Sequence, residues 1–136
     1  MSNLAVFDTN VFVSYFFAPF KIGSITTAVT MIFEDKVIPV YSQKIMAEYE
    51  DVLCRAKFGF PHDDVHSFLD LIRDTGRFVS PIPTHVHFTD TSDKCFYDAA
   101  VAAGCWLVTG NKRHYPEEPF IVSPREYIER VGLTRA

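Results

Sequence analysis

Two aspartates and an asparagine occupy places where a folded chain concentrates chemistry. Asp8 closes the apolar run Leu4–Phe7 in Val6-Phe7-Asp8-Thr9-Asn10, and Asn111 follows Leu107-Val108-Thr109-Gly110. Both runs read as buried strands, and in an open parallel sheet the loops at strand carboxyl ends are where ligands bind. Asp93 stands in Asp90-Thr91-Ser92-Asp93 at the start of a helical pattern, and the helix after Ser42 brings Glu48, Glu50 and Asp51. Carboxylates gathered on one rim repel one another unless a divalent cation sits among them. Such a group suits metal-dependent hydrolysis.

Each residue also has a structural reading. Asp8 is a favoured helix N-cap, with Thr9 and Asn10 either holding its carboxylate or capping the same helix. Asp90 and Asp93, three apart, form a capping-box-like pair whose charges offset a helix dipole by about 0.3–1 kcal/mol each. Asp98 falls on another helical face and reads as solvated. Around the stripe Ile45, Tyr49, Val52 and Leu53, Glu48 flanks Val52 and Glu50 flanks Met46, so periodicity does not choose between these two acids. Gly110 lets the backbone approach a ligand, and Asn111 can bond a metal's water or simply favour the turn. Lys112, Arg113 and His114 follow, two cations suited to a polyanion.

The elements that would position these residues alternate in type. Leu4–Phe7 reads as a strand and Thr9–Phe17 as a helix stopped by Pro19. Ser24–Phe33 has helical spacing, Val37–Tyr41 is strand-like, and Ser42 caps a helix running to about Arg55. A helix opening at Asp63 or Asp64 carries Val65, Phe68, Leu69 and Ile72. Phe78–Ile82 is a short extended piece limited by Pro81 and Pro83, and Asp90–Ala103 is helical. Cys105–Thr109 and Phe120–Val122 are buried strands, and Ser123-Pro124-Arg125-Glu126 opens a last helix. The alternation predicts an α/β fold, three layers α/β/α around a central parallel sheet.

The 136 residues read as one domain, 1–136, able to bury roughly two thirds of the unfolded surface. Hydrophobic residues make up 48%, thirteen residues are Phe, and only 22% are charged, which excludes a disordered segment. No apolar stretch approaches the ~20 residues of a membrane span, and Met1-Ser2-Asn3 lacks the basic start of a secretory signal. The expectation is a cytoplasmic protein with no membrane partner. Cys54, Cys95 and Cys105 have no C-x-x-C spacing, which argues for free thiols over zinc or disulfides. The net charge of −4 argues against a surface coated in basic residues, but permits a basic rim around an acidic site.

Taken together, the stretches Val6-Phe7-Asp8-Thr9-Asn10-Val11-Phe12-Val13-Ser14, Ala47-Glu48-Tyr49-Glu50-Asp51-Val52-Leu53, Asp90-Thr91-Ser92-Asp93-Lys94-Cys95-Phe96, Leu107-Val108-Thr109-Gly110-Asn111-Lys112-Arg113-His114-Tyr115-Pro116 and Ser123-Pro124-Arg125-Glu126-Tyr127 resemble a PIN domain of the VapC-like toxin branch. The resemblance covers nearly the whole chain and keeps the order and spacing of the motifs. It implies a ribonuclease using Mg²⁺ or Mn²⁺, with Asp8, Glu48, Asp93 and Asn111 catalytic and Asp8, Asp93 and Glu48 holding the metal. It is the resemblance that selects Glu48 over Glu50. Thr9, Asn10, Asp90, Thr109, Lys112 and Arg113 would support the site or touch substrate. The wider family often has Asp where this chain has Asn111, which removes one charge and weakens a second metal. Asn is common there in the toxin branch. Implied partners are an RNA substrate, an antitoxin protein and a second copy in a homodimer. Tyr49, Tyr97 and Tyr115 are candidates to stack bases, or else core.

Two other readings compete. A phospho-aspartyl phosphatase or receiver-type domain would use Asp8, Thr109 and Lys112, but it would want a second Asp where Asn10 stands. A non-catalytic PIN-like binding domain would lay a partner across the cleft, and intact Asp8, Glu48 and Asp93 argue against it.

Overall fold

Leu4, Ala5, Val6 and Phe7 are all buried, which a strand shows only when both faces of its sheet are covered. The computed structural model describes residues 3–135, with side chains described through Val131. Its strands are β1 (Leu4–Phe7), β2 (Ile38–Tyr41), β3 (Arg77–Phe78), β4 (Trp106–Val108) and β5 (Ile121–Val122), all parallel in the order β3-β2-β1-β4-β5. Its helices are α1 (Thr9–Phe17), α2 (Ser24–Phe33), α3 (Gln43–Leu53), α4 (His62–Thr75), α5 (Lys94–Ala103) and α6 (Pro124–Arg135). Six helices flanking one parallel sheet make the three-layer α/β/α arrangement that the alternation predicts.

Helix packing follows the apolar stripes. The α4 residues Val65, Phe68, Leu69 and Ile72 are buried as their spacing requires, and α4 packs on β2 and α3. α5 lies against β1, β2 and β4, α6 packs on α2, β4 and β5, and α1 touches both α2 and α3. Phe12 anchors the middle, with its ring 5.6 Å from Phe7, 5.0 Å from Tyr49 and 4.7 Å from Phe68. The Phe7 ring stacks on it while Tyr49 and Phe68 meet it edge-to-face, and both arrangements add to the burial of their area. Local signals set the ends of several elements. Ser42 Oγ accepts from the Ile45 amide at the start of α3. Ser123 and Glu126 cap α6 reciprocally, the Glu126 amide donating to Ser123 Oγ and the Ser123 amide to Glu126 Oε1. Gly104 ends α5 at φ +62°, a left-handed conformation in which an L side chain is strained.

Some boundaries differ from expectation. The extended piece after Arg77 pairs over two residues only, because Pro81 and Pro83 cannot donate to a ladder. The helix expected over Asp90–Ala103 is a 3₁₀ turn, Thr91–Asp93, followed by α5. Asp98 is not solvated: it is buried, and it accepts from the Thr84 amide, the Thr84 hydroxyl and Lys94 Nζ. Burial by itself would raise its pKa, but these bonds outweigh that and hold its carboxyl below the usual range.

The strand order matters most for function. From β1 the chain adds β2 and β3 on one side, then returns to add β4 and β5 on the other. The reversal lies between β1 and β4, where adjacent crossovers diverge and leave a crevice at the strand carboxyl ends. Phe7 is in register with Val108, and the Asp8 amide donates to the Val108 carbonyl at 2.9 Å. Asp8 and Thr109 therefore leave the sheet side by side at that crevice.

Candidate active site at the carboxyl ends of β1 and β4

Asp8 is 5% exposed and is held by several donors. Its Oδ2 accepts from the Thr109 hydroxyl at 3.0 Å and the Tyr115 hydroxyl at 2.7 Å, and its Oδ1 accepts from the Asn10 amide at 3.2 Å. Oδ1 thus caps α1, while Oδ2 is held by groups from the end of β4 and the loop after it. Thr109 is fully buried, and its hydroxyl also accepts from the Asn111 amide at 3.0 Å and from Asn10 Nδ2 at 3.4 Å. Asn10 Oδ1 accepts from the Gly110 amide at 3.0 Å. The Gly110 amide is therefore engaged in stitching the β1 end to the β4 end. Thr9 does not hold Asp8: its hydroxyl is buried without a hydrogen-bond partner, and Thr109 and Tyr115 take that role.

Asp93 faces Asp8 from the turn before α5. Its side chain caps nothing, contrary to the capping-box reading, while Asp90 accepts from the Ser92 amide and hydroxyl. Those bonds, hydroxyl first, hold the Asp90 carboxyl below its usual range. Asp93 goes the other way. Burial, then the charges of Asp8 and Asp90, raise its pKa to about 6, with His114 opposing. His114 Nδ1 lies 3.3 Å from the buried Asp93 Oδ2, and no other group among the described residues bonds this oxygen. The other ring nitrogen, Nε2, is 3.0 Å from Asn111 Nδ2.

Glu48 and Glu50 leave α3 in different directions. Glu50 is exposed and lies 3.9 Å from His66 of α4. Glu48 is half-buried, and its pKa is raised by burial, by Asp51 and more weakly by Asp90 and Asp8, with Arg55 opposing. Cys95 sits where the charges of Glu48, Asp8, Asp93 and Asp98 all act on it. Burial first, and then those carboxylates, push its thiol up to about 12. Lys112 and Arg113 are exposed, but Lys112 Nζ is 2.9 Å from Glu126 of α6. Of the two expected cations, Arg113 is the one without an ion pair among the described residues.

Of the two readings of the tyrosines, base-stacking or core, all three take the second. Tyr49 donates to the Phe7 carbonyl at 2.5 Å, Tyr97 packs between Phe88 and Phe120, and Tyr115 bonds Asp8. All three rings are buried and unavailable to stack bases. The roles of Tyr115 and His114 at the acids were not legible, because a hydroxyl 107 positions from its acceptor leaves no local pattern.

The donor set can be tested against a hard cation. Among the described residues no group of three His, Cys, Asp or Glu side chains stands ready to hold a metal ion. Mg²⁺ is commonly held by one or two carboxylates plus waters and substrate phosphates, so a closed protein cage is not required. Asp8 and Asp93 offer hard oxygen donors and repel each other, and the buried Asp93 Oδ2 has only His114 beside it. These residues fit Mg²⁺ or Mn²⁺.

Comparison with protein families gives a match to the PIN domain over residues 4–113. No curated protein matches the chain.

Proposed function

Because this chain belongs to the PIN domain family, whose members are generally nucleases, we propose that it is a metal-dependent endoribonuclease cleaving RNA phosphodiester bonds, the toxin of a toxin–antitoxin pair. The observation that carries the reaction is Asp93, a buried carboxylate with only His114 at its Oδ2, set against the charge of Asp8 at the point where strand order reverses. An anionic pair left in that state calls for a cation.

Asp8 and Asp93 would hold Mg²⁺ or Mn²⁺, with Glu48 a ligand or a partner through water. When bound, such an ion supplies charge stabilisation at phosphoryl oxygens and activation of water near neutral pH. The rest is done by the chain. Thr109, Tyr115 and Asn10 fix the Asp8 carboxylate, so its position needs no reorganisation as substrate arrives. Asn111, with its amide anchored on Thr109, positions water beside Asp93. Arg113 grips a phosphate flanking the cut. It lines an open groove of about 680 Å³ with Lys112, Tyr115, Pro116 and Glu118. Lys112 adds charge to the rim, but shares it with Glu126.

The toxin role rests on the toxin-branch stretches of the sequence, and with it the homodimer and the antitoxin partner. The phospho-aspartyl alternative is disfavoured, since the Thr109 hydroxyl is fully buried on Asp8 and Lys112 is turned to Glu126. The test is cleavage of single-stranded and structured RNAs with Mg²⁺, Mn²⁺ or EDTA, by wild type and by folded Asp8→Asn and Asp93→Asn proteins. Cutting is expected only with metal, and at background in both variants. Cutting that persists in EDTA or in either variant overturns the assignment.

A further inference from the structure

A carboxylate has about four lone-pair positions, two on each oxygen. In Asp8 both positions of Oδ2 are taken, by the Thr109 and Tyr115 hydroxyls, and one of Oδ1 is taken by the Asn10 amide. One position remains, on Oδ1. We propose that Tyr115 is a positioning residue which, together with Thr109, closes Oδ2 so that Asp8 takes its cation through Oδ1 alone. The inference rests on the reading of Asp8 as a metal ligand, and adds to it which oxygen binds and what enforces the choice.

Tyr115 is built for this task. Its ring is 7% exposed and packs edge-on against Phe88, with centroids 5.7 Å apart, while Phe88 in turn packs on Tyr97. The Tyr115 amide donates to the Lys112 carbonyl, closing the 3₁₀ turn that follows Asn111. The hydroxyl is thus fixed to the loop that carries Asn111, and its bond to Asp8 ties that loop to β1. The hydroxyl is the donor in this pair and the Asp8 carboxylate the acceptor. Free rotation of the Asp8 carboxylate, or capture of an ion by both of its oxygens, would require breaking a buried 2.7 Å bond.

The test is Mn²⁺ binding, read from the free-ion electron paramagnetic resonance signal, for wild type, Asp8→Asn and Tyr115→Phe, each checked for fold by circular dichroism. Wild type is expected to bind and Asp8→Asn to lose binding. Tyr115→Phe, which keeps the ring and loses only the donor, is expected to bind about 10-fold or more weakly, as is usual when a partner of a metal ligand is removed. If wild type does not bind, or Asp8→Asn binds equally well, the metal reading fails and the role of Tyr115 fails with it. If those two behave as expected but Tyr115→Phe matches wild type, the positioning role alone is overturned. A second measurement needs no variant: the Tyr115 hydroxyl proton in the wild-type NMR spectrum, with and without saturating Mg²⁺. Its persistence with Mg²⁺ supports binding through Oδ1, and its disappearance shows the ion displacing the hydroxyl from Oδ2.

Discussion

The Asp93→Asn substitution should make the metal-free protein less sensitive to rising pH. Burial, with the charges of Asp8 and Asp90, holds the Asp93 carboxyl at about 6 in the folded protein, against 3.8 for an ordinary aspartate. The folded state therefore binds a proton more tightly than the unfolded chain. Its contribution is fully present below about pH 4 and is lost as pH rises through 6. The gap between 3.8 and about 6 converts to at most about 3 kcal/mol. An amide at this position carries no charge to repel, so the variant is spared that loss. Its NH₂ group can add a pH-independent cost of about 1–3 kcal/mol if left without a partner, so the offset between the proteins is not diagnostic. The informative quantity is how the offset changes with pH. Urea denaturation in EDTA at steps between about pH 4 and pH 7.5 should show the variant gaining on wild type by up to about 3 kcal/mol. Mg²⁺ at about 100 times its Kd should then restore about 2.7 kcal/mol to wild type and nothing to the variant. A stability difference that stays flat across this range would refute the argument that burial, together with Asp8 and Asp90, disfavours the charged Asp93 carboxyl.

Three further outcomes follow from the same contacts. Thr109→Val removes the hydroxyl that serves Asp8, Asn111 and Asn10 at a fully buried position, and should cost about 1–3 kcal/mol in urea denaturation; an unchanged midpoint would contradict the network. Asp98→Ala leaves the Thr84 amide and Lys94 without their acceptor, and should lower stability by about 1–3 kcal/mol while speeding hydrogen exchange at the Thr84 amide. Unaltered exchange there would show that Asp98 does not pin this segment to α5. Glu126, held at about 2 first by the Ser123 amide and then by Lys112, stabilises α6 above about pH 4.5, and this is lost as pH falls toward 2. Wild type and Glu126→Gln should accordingly converge in stability at low pH, and a gap that widens on acidification would reverse the sign.

What the sequence determines here is whatever depends on neighbours along the chain. Two buried faces require the uninterrupted apolar run Leu4–Phe7, and a 3.6-residue repeat buries Val65, Phe68, Leu69 and Ile72 of α4. Ser42 and the Ser123–Glu126 pair mark helix starts because a cap bonds an amide two or three residues away. The placing of Asp8 and Asn111 at strand ends follows from the same local logic. Helical periodicity left Glu48 and Glu50 equal, because both flank one apolar stripe, and in space one feels Asp8 and Asp90 while the other reaches His66. Asp98, five residues past Asp93, read as solvated until the segment carrying Thr84 covered it. Tyr115 read as a ring for stacking or core, whereas its hydroxyl lies on Asp8. For Tyr115 the order β3-β2-β1-β4-β5 decides, since it sets β1 beside β4 and brings groups about a hundred residues apart within a hydrogen bond. For Asp98 and the two glutamates it is the packing of neighbouring segments on their helices. Periodicity reports which way a side chain points, and only the assembled fold decides what it meets there.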